Sequence, residues 1–171
     1  MIKKRIAGAV VVKNNRVVQS FEYGKYLPIG SVNLVVQNLD RWSVDEIIIL
    51  DIDRSKNNLG PNLELLKDIC SIPISTPLTY AGGINSVNDA INIIGSGAER
   101  IILDNLLINN HIKIKQISNA IGSQAIIISL PIKIIDNEVL HFDYLENKTI
   151  KLDYRKLKEL EGYVSEIMLI D

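Results

Sequence analysis

Three segments of the chain share one frame. Glu46-Ile47-Ile48-Ile49-Leu50-Asp51, Glu99-Arg100-Ile101-Ile102-Leu103-Asp104 and Glu166-Ile167-Met168-Leu169-Ile170-Asp171 each run from a glutamate through four residues to an aspartate. A short, mostly apolar run bounded by acids reads as a strand buried on both faces, the habit of parallel sheets. Parallel strands need crossovers, and the stretches before and between the frames carry helix signals. Ser31 caps a helix over Val32 to Trp42, with Val32, Val35, Val36, Leu39 and Trp42 on one face. Gly60-Pro61 opens a second helix with Leu63, Leu66, Ile69 and Cys70 on its inner face. Ser86 and Asp89 make a capping-box-like start to a third, which Gly95 and Gly97 terminate. A fourth helix is expected from Asn110 to Ile121, and Asp153 caps a last one through Leu157 and Leu160.

Further strands are expected at Ile6 to Val12, Ile74 to Tyr80 and Gln124 to Leu130, with an extended stretch at Arg16 to Gln19. Residues Pro131 to Lys151 break the rhythm. Turns at Asp136-Asn137 and Glu146-Asn147 make that stretch a small antiparallel excursion. The expected fold is therefore α/β: an incomplete TIM-type (βα) barrel of about six parallel strands, with an antiparallel hairpin after strand five. Residues 1–171 read as one domain. An eight-stranded barrel takes about 250 residues, so a chain of 171 residues is expected to lack the last two βα units. An open barrel exposes strand edges, and self-association through them is expected.

Composition narrows the function classes. Lys and Arg number 19 against 20 Asp and Glu, a balance that argues against a broad nucleic-acid surface. The longest apolar runs fall far short of the roughly 20 residues that span a bilayer. The single cysteine, Cys70, forms no intrachain disulfide and points to a reducing cytoplasm. His111 and His141 lack ligand spacing, so no metal is expected. The chain has no Walker loop, GxGxxG or nucleophile elbow, and no cofactor is expected. At a barrel mouth, carboxylates at strand ends are candidates for acid–base chemistry. Here those are Asp51 and Asp53 after strand two and Asp104 after strand four.

In colinear order, Met1 to Lys13, Asp45 to Asp53, Pro77 to Ile84, Gly97 to Asn105 and Gly122 to Lys133 resemble the cyclase subunit of imidazole glycerol phosphate synthase. Leu50-Asp51-Ile52-Asp53 and Tyr80-Ala81-Gly82-Gly83-Ile84 support the resemblance. It looks nearest to the paralogue branch linked to amidation of surface sugars. The resemblance implies a glutaminase partner whose ammonia enters at the N-terminal face of the barrel. It also implies a phosphorylated or sugar substrate at the opposite face. Gly82, Gly83 and Asn105 match phosphate-binding turns. Arg5, Glu46, Arg100 and Glu166 match a charged ring at the ammonia entrance.

Departures from the family are as informative. The family's two acid–base aspartates fall on Val11 and Pro131 here, its early lysine on Gln19, and an Asn-Thr pair on Asp104-Asn105. Neither valine nor proline moves a proton. Three readings stay open: an ammonia-receiving subunit of a glutamine-amidotransferase complex, a catalytically inactive scaffold or binding protein, and a conventional cyclase of histidine biosynthesis.

Overall fold

The computed structural model describes residues 4–21, 24–104 and 106–170. The chain forms two compact units, Met1–Ile101 and Ile102–Asp171.

The first unit begins with an antiparallel meander, β1 (Ala7–Lys13), β2 (Arg16–Phe21) and β3 (Lys25–Ser31). Asn14 and Asn15 join β1 to β2 with φ of 49° and 58°. Asparagine tolerates this left-handed pair, and its twist suits a two-residue hairpin. Sequence alone marks β2 but not β3, because Lys25–Ser31 carries Pro28 and alternates poorly. Helix α1 (Val32–Arg41) follows, and Ser31 caps it by accepting from Leu34 N. Strand β4 (Glu46–Asp51) lies parallel to β1, and β5 (Leu78–Ala81) parallel to β4. Between them come α2 (Ile52–Lys56) and α3 (Leu63–Cys70). Helix α4 (Val87–Gly95) closes the unit, and β6 (Arg100–Leu103) spans the division. The strand order is β3-β2-β1-β4-β5. The core gathers Val10, Val12, Ile47, Ile49, Leu66, Ile69, Tyr80 and Ile93, all fully buried.

Several local expectations are corrected here. Trp42 is 74 % exposed, because it follows the last turn of α1 as its C-cap and does not extend the apolar stripe. Pro61 stays outside α3, whose N-cap is Asn62. That start leaves Cys70 half-buried at the helix end, while Leu65 joins Leu66 and Ile69 inside. Strand β5 starts at Leu78, four residues later than the apolar run. At α4, Ser86 accepts from Asp89 N, but the Asp89 carboxylate accepts from Asn85 N instead of from its cap.

The second unit carries α5 (Leu106–Asn109), α6 (His111–Ile121), a 3-10 turn at Ser123–Ala125, and β7 (Ile126–Ile135). Then come β8 (Glu138–Asp143), β9 (Lys148–Lys151), α7 (Tyr154–Lys158) and β10 (Glu166–Ile170). Strand β7 is longer than expected. Its first part pairs with β10 in parallel, and its second part pairs with β8 antiparallel. Pro131 sits at that change of partner, opposite Ile170. Asp136 and Asn137 make the β7–β8 turn with φ of 51° and 63°, and β9 extends the hairpin. Asp153 caps α7 through Arg155 N and Lys156 N, as its position predicts.

Candidate functional site

Strand register sorts the first unit's polar residues onto two faces. Residues opposite one another in a parallel pair point to the same side, and side chains alternate along each strand. The pairs Ala7↔Glu46, Ala9↔Ile48 and Val11↔Leu50 define one face, which Thr79 and Ala81 continue on β5. Gly8, Val10 and Val12 with Ile47, Ile49 and Asp51, then Leu78 and Tyr80, define the other. A Cβ at Gly8 would meet the Leu39 side chain of α1 at 2.9 Å. The second face is therefore the one packed against helices.

The first face carries the charged group at the strand starts. Glu46 is 5 % exposed and Thr79 wholly buried. The Thr79 hydroxyl donates to Glu46 Oε1. Arg100 Nη1 lies 3.4 Å from the same oxygen, and Arg5 Nη1 lies 4.0 Å from Oε2. Three of the four expected gate residues thus meet on one buried carboxylate. Glu166 opens β10 in the second unit and is exposed. Thr79 is the residue that sequence reasoning missed. A threonine inside an apolar run is the only trace of it, and β-branched residues are ordinary in strands. Beyond Glu46 and Thr79, this face is apolar through Ile48, Ala9, Leu50, Val11 and Ala81.

The expected acid–base residues of the first unit lie on or beyond the second face. Asp51 is 4 % exposed. Burial is the main cause that pushes its carboxyl up to about 6, countered by a hydrogen bond from Asn62 and by Arg54. Asn62 Nδ2 donates to Asp51 Oδ2 at 3.2 Å and to Asn15 Oδ1 at 2.9 Å. The backbone N–H of Asn62 donates to the Tyr80 hydroxyl at 2.9 Å. Burial likewise pushes the Tyr80 phenol up. Asp53, in α2, ties down the β1–β2 turn. Its Oδ2 accepts from Asn14 N at 2.6 Å and its Oδ1 pairs with Lys13 Nζ at 3.1 Å.

The two glycines after β5 are set by close backbone approach. A Cβ at Gly82 (φ +131°) would lie 2.4 Å from Asp51 O, and one at Gly83 (φ +70°) 2.3 Å from Gly60 O. Gly83 N donates to Ser55 Oγ at 3.0 Å. Arg54 donates to the carbonyls of Leu59, Gly60 and Pro61, fixing the loop before α3. Asn105 lies outside the described residues. In the second unit, Asp104 accepts from the Tyr144 hydroxyl. His141 is buried on β8, which pushes its imidazole down. Among the described residues no group of three His, Cys, Asp or Glu is placed to hold a metal ion. No helix among them is long and apolar enough to cross a membrane.

Parallel strands alternate with helices in the first unit, and the second combines a parallel pair with an antiparallel hairpin, an α/β pattern consistent with the TIM-barrel class of the family that the chain matches. A family profile described as "Histidine biosynthesis protein" matches residues 5–171, and the chain belongs to that family. A Vibrio vulnificus protein with the provisional name imidazole glycerol phosphate synthase subunit hisF2 is 33 % identical over 171 residues, covering 99 % of this chain and 62 % of its own length. A Campylobacter jejuni protein with the same provisional name is 33 % identical over 133 residues, 78 % of this chain and 53 % of the relative. The imidazole glycerol phosphate synthase subunit HisF of Sulfurisphaera tokodaii is 30 % identical over 142 residues, 83 % of this chain and 57 % of the relative. The chain therefore spans between 53 % and 62 % of the length of these three curated relatives.

Proposed function

We propose that this chain is a cyclase-type subunit of a glutamine-amidotransferase complex. It receives ammonia from a glutaminase partner and serves the amidation of a sugar or phosphorylated metabolite. The observation that carries this reading is the buried Glu46 carboxylate, held by Thr79 and Arg100 with Arg5 alongside. A charged group at the strand starts, followed on the same face by apolar side chains, suits selection of a small neutral nucleophile. Ammonium would have to shed its charge before passing Ile48 and Leu50. The family and its subunit-named relatives support a partner for this chain.

The test is co-purification of this chain with a glutaminase and stimulation of glutamine hydrolysis. Expected are a stable complex and a several-fold stimulation that Glu46→Ala abolishes. Absence of both, with wild-type and Glu46→Ala proteins behaving alike, overturns the reading. A higher mass made only of copies of this chain instead supports pairing through open sheet edges.

A second reading, a scaffold without chemistry, is favoured by one observation. At the strand ends the first face carries Val11, Leu50 and Ala81, while Asp51 lies on the opposite face. Pro131 adds no proton-moving group in the second unit. Thermal-shift screening against phosphorylated sugars separates the two, since the scaffold gains no stability from them. An assay for imidazole glycerol phosphate tests the conventional cyclase.

A further inference from the structure

We propose that Asp51 and Asn62 form a proton-sensitive latch that holds the β1–β2 turn against the start of α3. The inference stands apart from the amidotransferase reading and uses only contacts within the first unit.

Asn62 joins four elements with one side chain and one backbone N–H. Its Nδ2 donates to Asp51 Oδ2 at the end of β4 and to Asn15 Oδ1 in the β1–β2 turn. Its Oδ1 accepts from Leu65 N in α3 at 3.2 Å, and its backbone N donates to the β5 residue Tyr80. A primary amide has two N–H groups and one carbonyl. With Asp51 and Asn15 on the nitrogen and Leu65 N on the oxygen, the amide orientation is fully determined.

Only one of these partners, Asp51, ionises near neutrality, and it is buried at 4 % exposure. As a carboxylate, Asp51 accepts a charge-assisted bond, which is about twice as strong as a neutral one. As a carboxylic acid, it must also place a hydrogen. Asn62 Nδ2 cannot accept it. The acid then either keeps a weaker neutral bond to Nδ2, or draws the amide oxygen round and takes it from Leu65 N. Both outcomes loosen the hold on Asn15.

The charged groups around Asp51 are Asp53 and Arg54 of α2, with the Tyr80 phenol of β5 beside it and Lys13 of β1 paired to Asp53. Arg54 favours the carboxylate, but three backbone carbonyls already hold its guanidinium. Burial outweighs it and moves the titration of Asp51 to about 6, within the range a cell visits. Asp53 provides a second tether on the same turn through Asn14 N.

The experiment is NMR hydrogen exchange on the full chain from pH 5 to 7.5, corrected for intrinsic rates. It follows the Asn62 side-chain amide and the backbone amides of residues 14–16. Expected is a three- to tenfold loss of protection below a midpoint near pH 6. Asp51→Asn should hold the weakly protected state at every pH. Asn15→Ala should release the turn yet leave the Asp51 titration in place, as read from its carboxyl carbon. Asp53→Ala, which removes the other tether, should enlarge the pH response. Protection that stays constant across the range, or that keeps its pH dependence in Asp51→Asn, overturns the latch. If Asp51→Asn fails to fold, the Asn15→Ala and Asp53→Ala results decide. Failure to bind a glutaminase leaves this inference untouched.

Discussion

Arg100 Nη1 lies 3.4 Å from Glu46 Oε1 and 3.5 Å from Oε2, and strand β5 runs between the strands that carry them. Both side chains are largely buried, at 13 % and 7 % exposure. Removing one partner of such a pair strands the other charge in a low-dielectric setting. Glu46→Ala is therefore expected to cost about 3 kcal/mol, and Glu46→Gln less, because the amide still accepts from Thr79. Combining Glu46→Leu with Arg100→Met should recover most of the loss. Urea unfolding of the set measures this, and strictly additive losses would refute a coupled pair.

Asp51 makes stability depend on pH in a defined window. Its carboxyl titrates at about 6 when folded, against 3.8 ordinarily. Between those values folding takes up a proton. The contribution is full below about pH 4, falls as pH rises, and is gone above about pH 6. The expected size is on the order of 2–3 kcal/mol, from about two pH units at 1.4 kcal/mol each. Asp51→Asn should therefore gain stability relative to wild type as pH rises from 4 to 6, with a constant difference above 7. Denaturant melts across that range provide the measurement, and a difference that does not change with pH would refute the assignment.

Gly82 and Gly83 should not tolerate alanine. Each combines a positive φ with a backbone oxygen within 2.4 Å of the added carbon. A loss of about 2–3 kcal/mol or more is expected for either, since backbone on both sides must move. Gly95 is the contrast. It lies in α4 with nothing within 4 Å of an added Cβ, and Gly95→Ala should stabilise by about 0.5–1 kcal/mol. Melting temperatures of the three variants test the ranking.

The Asp53 carboxylate accepts from Asn14 N at 2.6 Å across 39 residues of chain. Asp53→Ala should raise exchange of the Asn14 amide roughly tenfold at neutral pH, as expected for losing about 1.5 kcal/mol of a charged hydrogen bond. Unchanged exchange would mean that the turn is held by its own strands.

Much of the architecture is legible in the residues. The acid-bounded run at Glu46–Asp51 is β4, Ser31, Ser86 and Asp153 are caps, and Asp136-Asn137 is a hairpin turn. These are local signals, set by a residue's own backbone preferences and nearest hydrogen bonds. Strand β3 and helix α2 were not legible, because Lys25–Ser31 alternates poorly and Ile52–Lys56 is too short to show a period. Trp42 misled for a related reason: periodicity does not reveal where a helix stops.

The candidate site divides along the same line. The sequence by itself determined the class of fold and the family, and it put at positions 11 and 131 a valine and a proline, neither of which moves a proton. It also determined that Arg5, Glu46 and Arg100 carry charge at strand starts. Only the tertiary structure decided that Thr79 completes the Glu46 group and that Asp51 faces the helices and not the side of Val11. It alone showed that Asn62 binds residues 47 positions before it and 18 after it. The reason is physical. Composition and period follow from the chain's local chemistry, whereas the face a strand end presents follows from register, which is set by all the strands and helices packed against it.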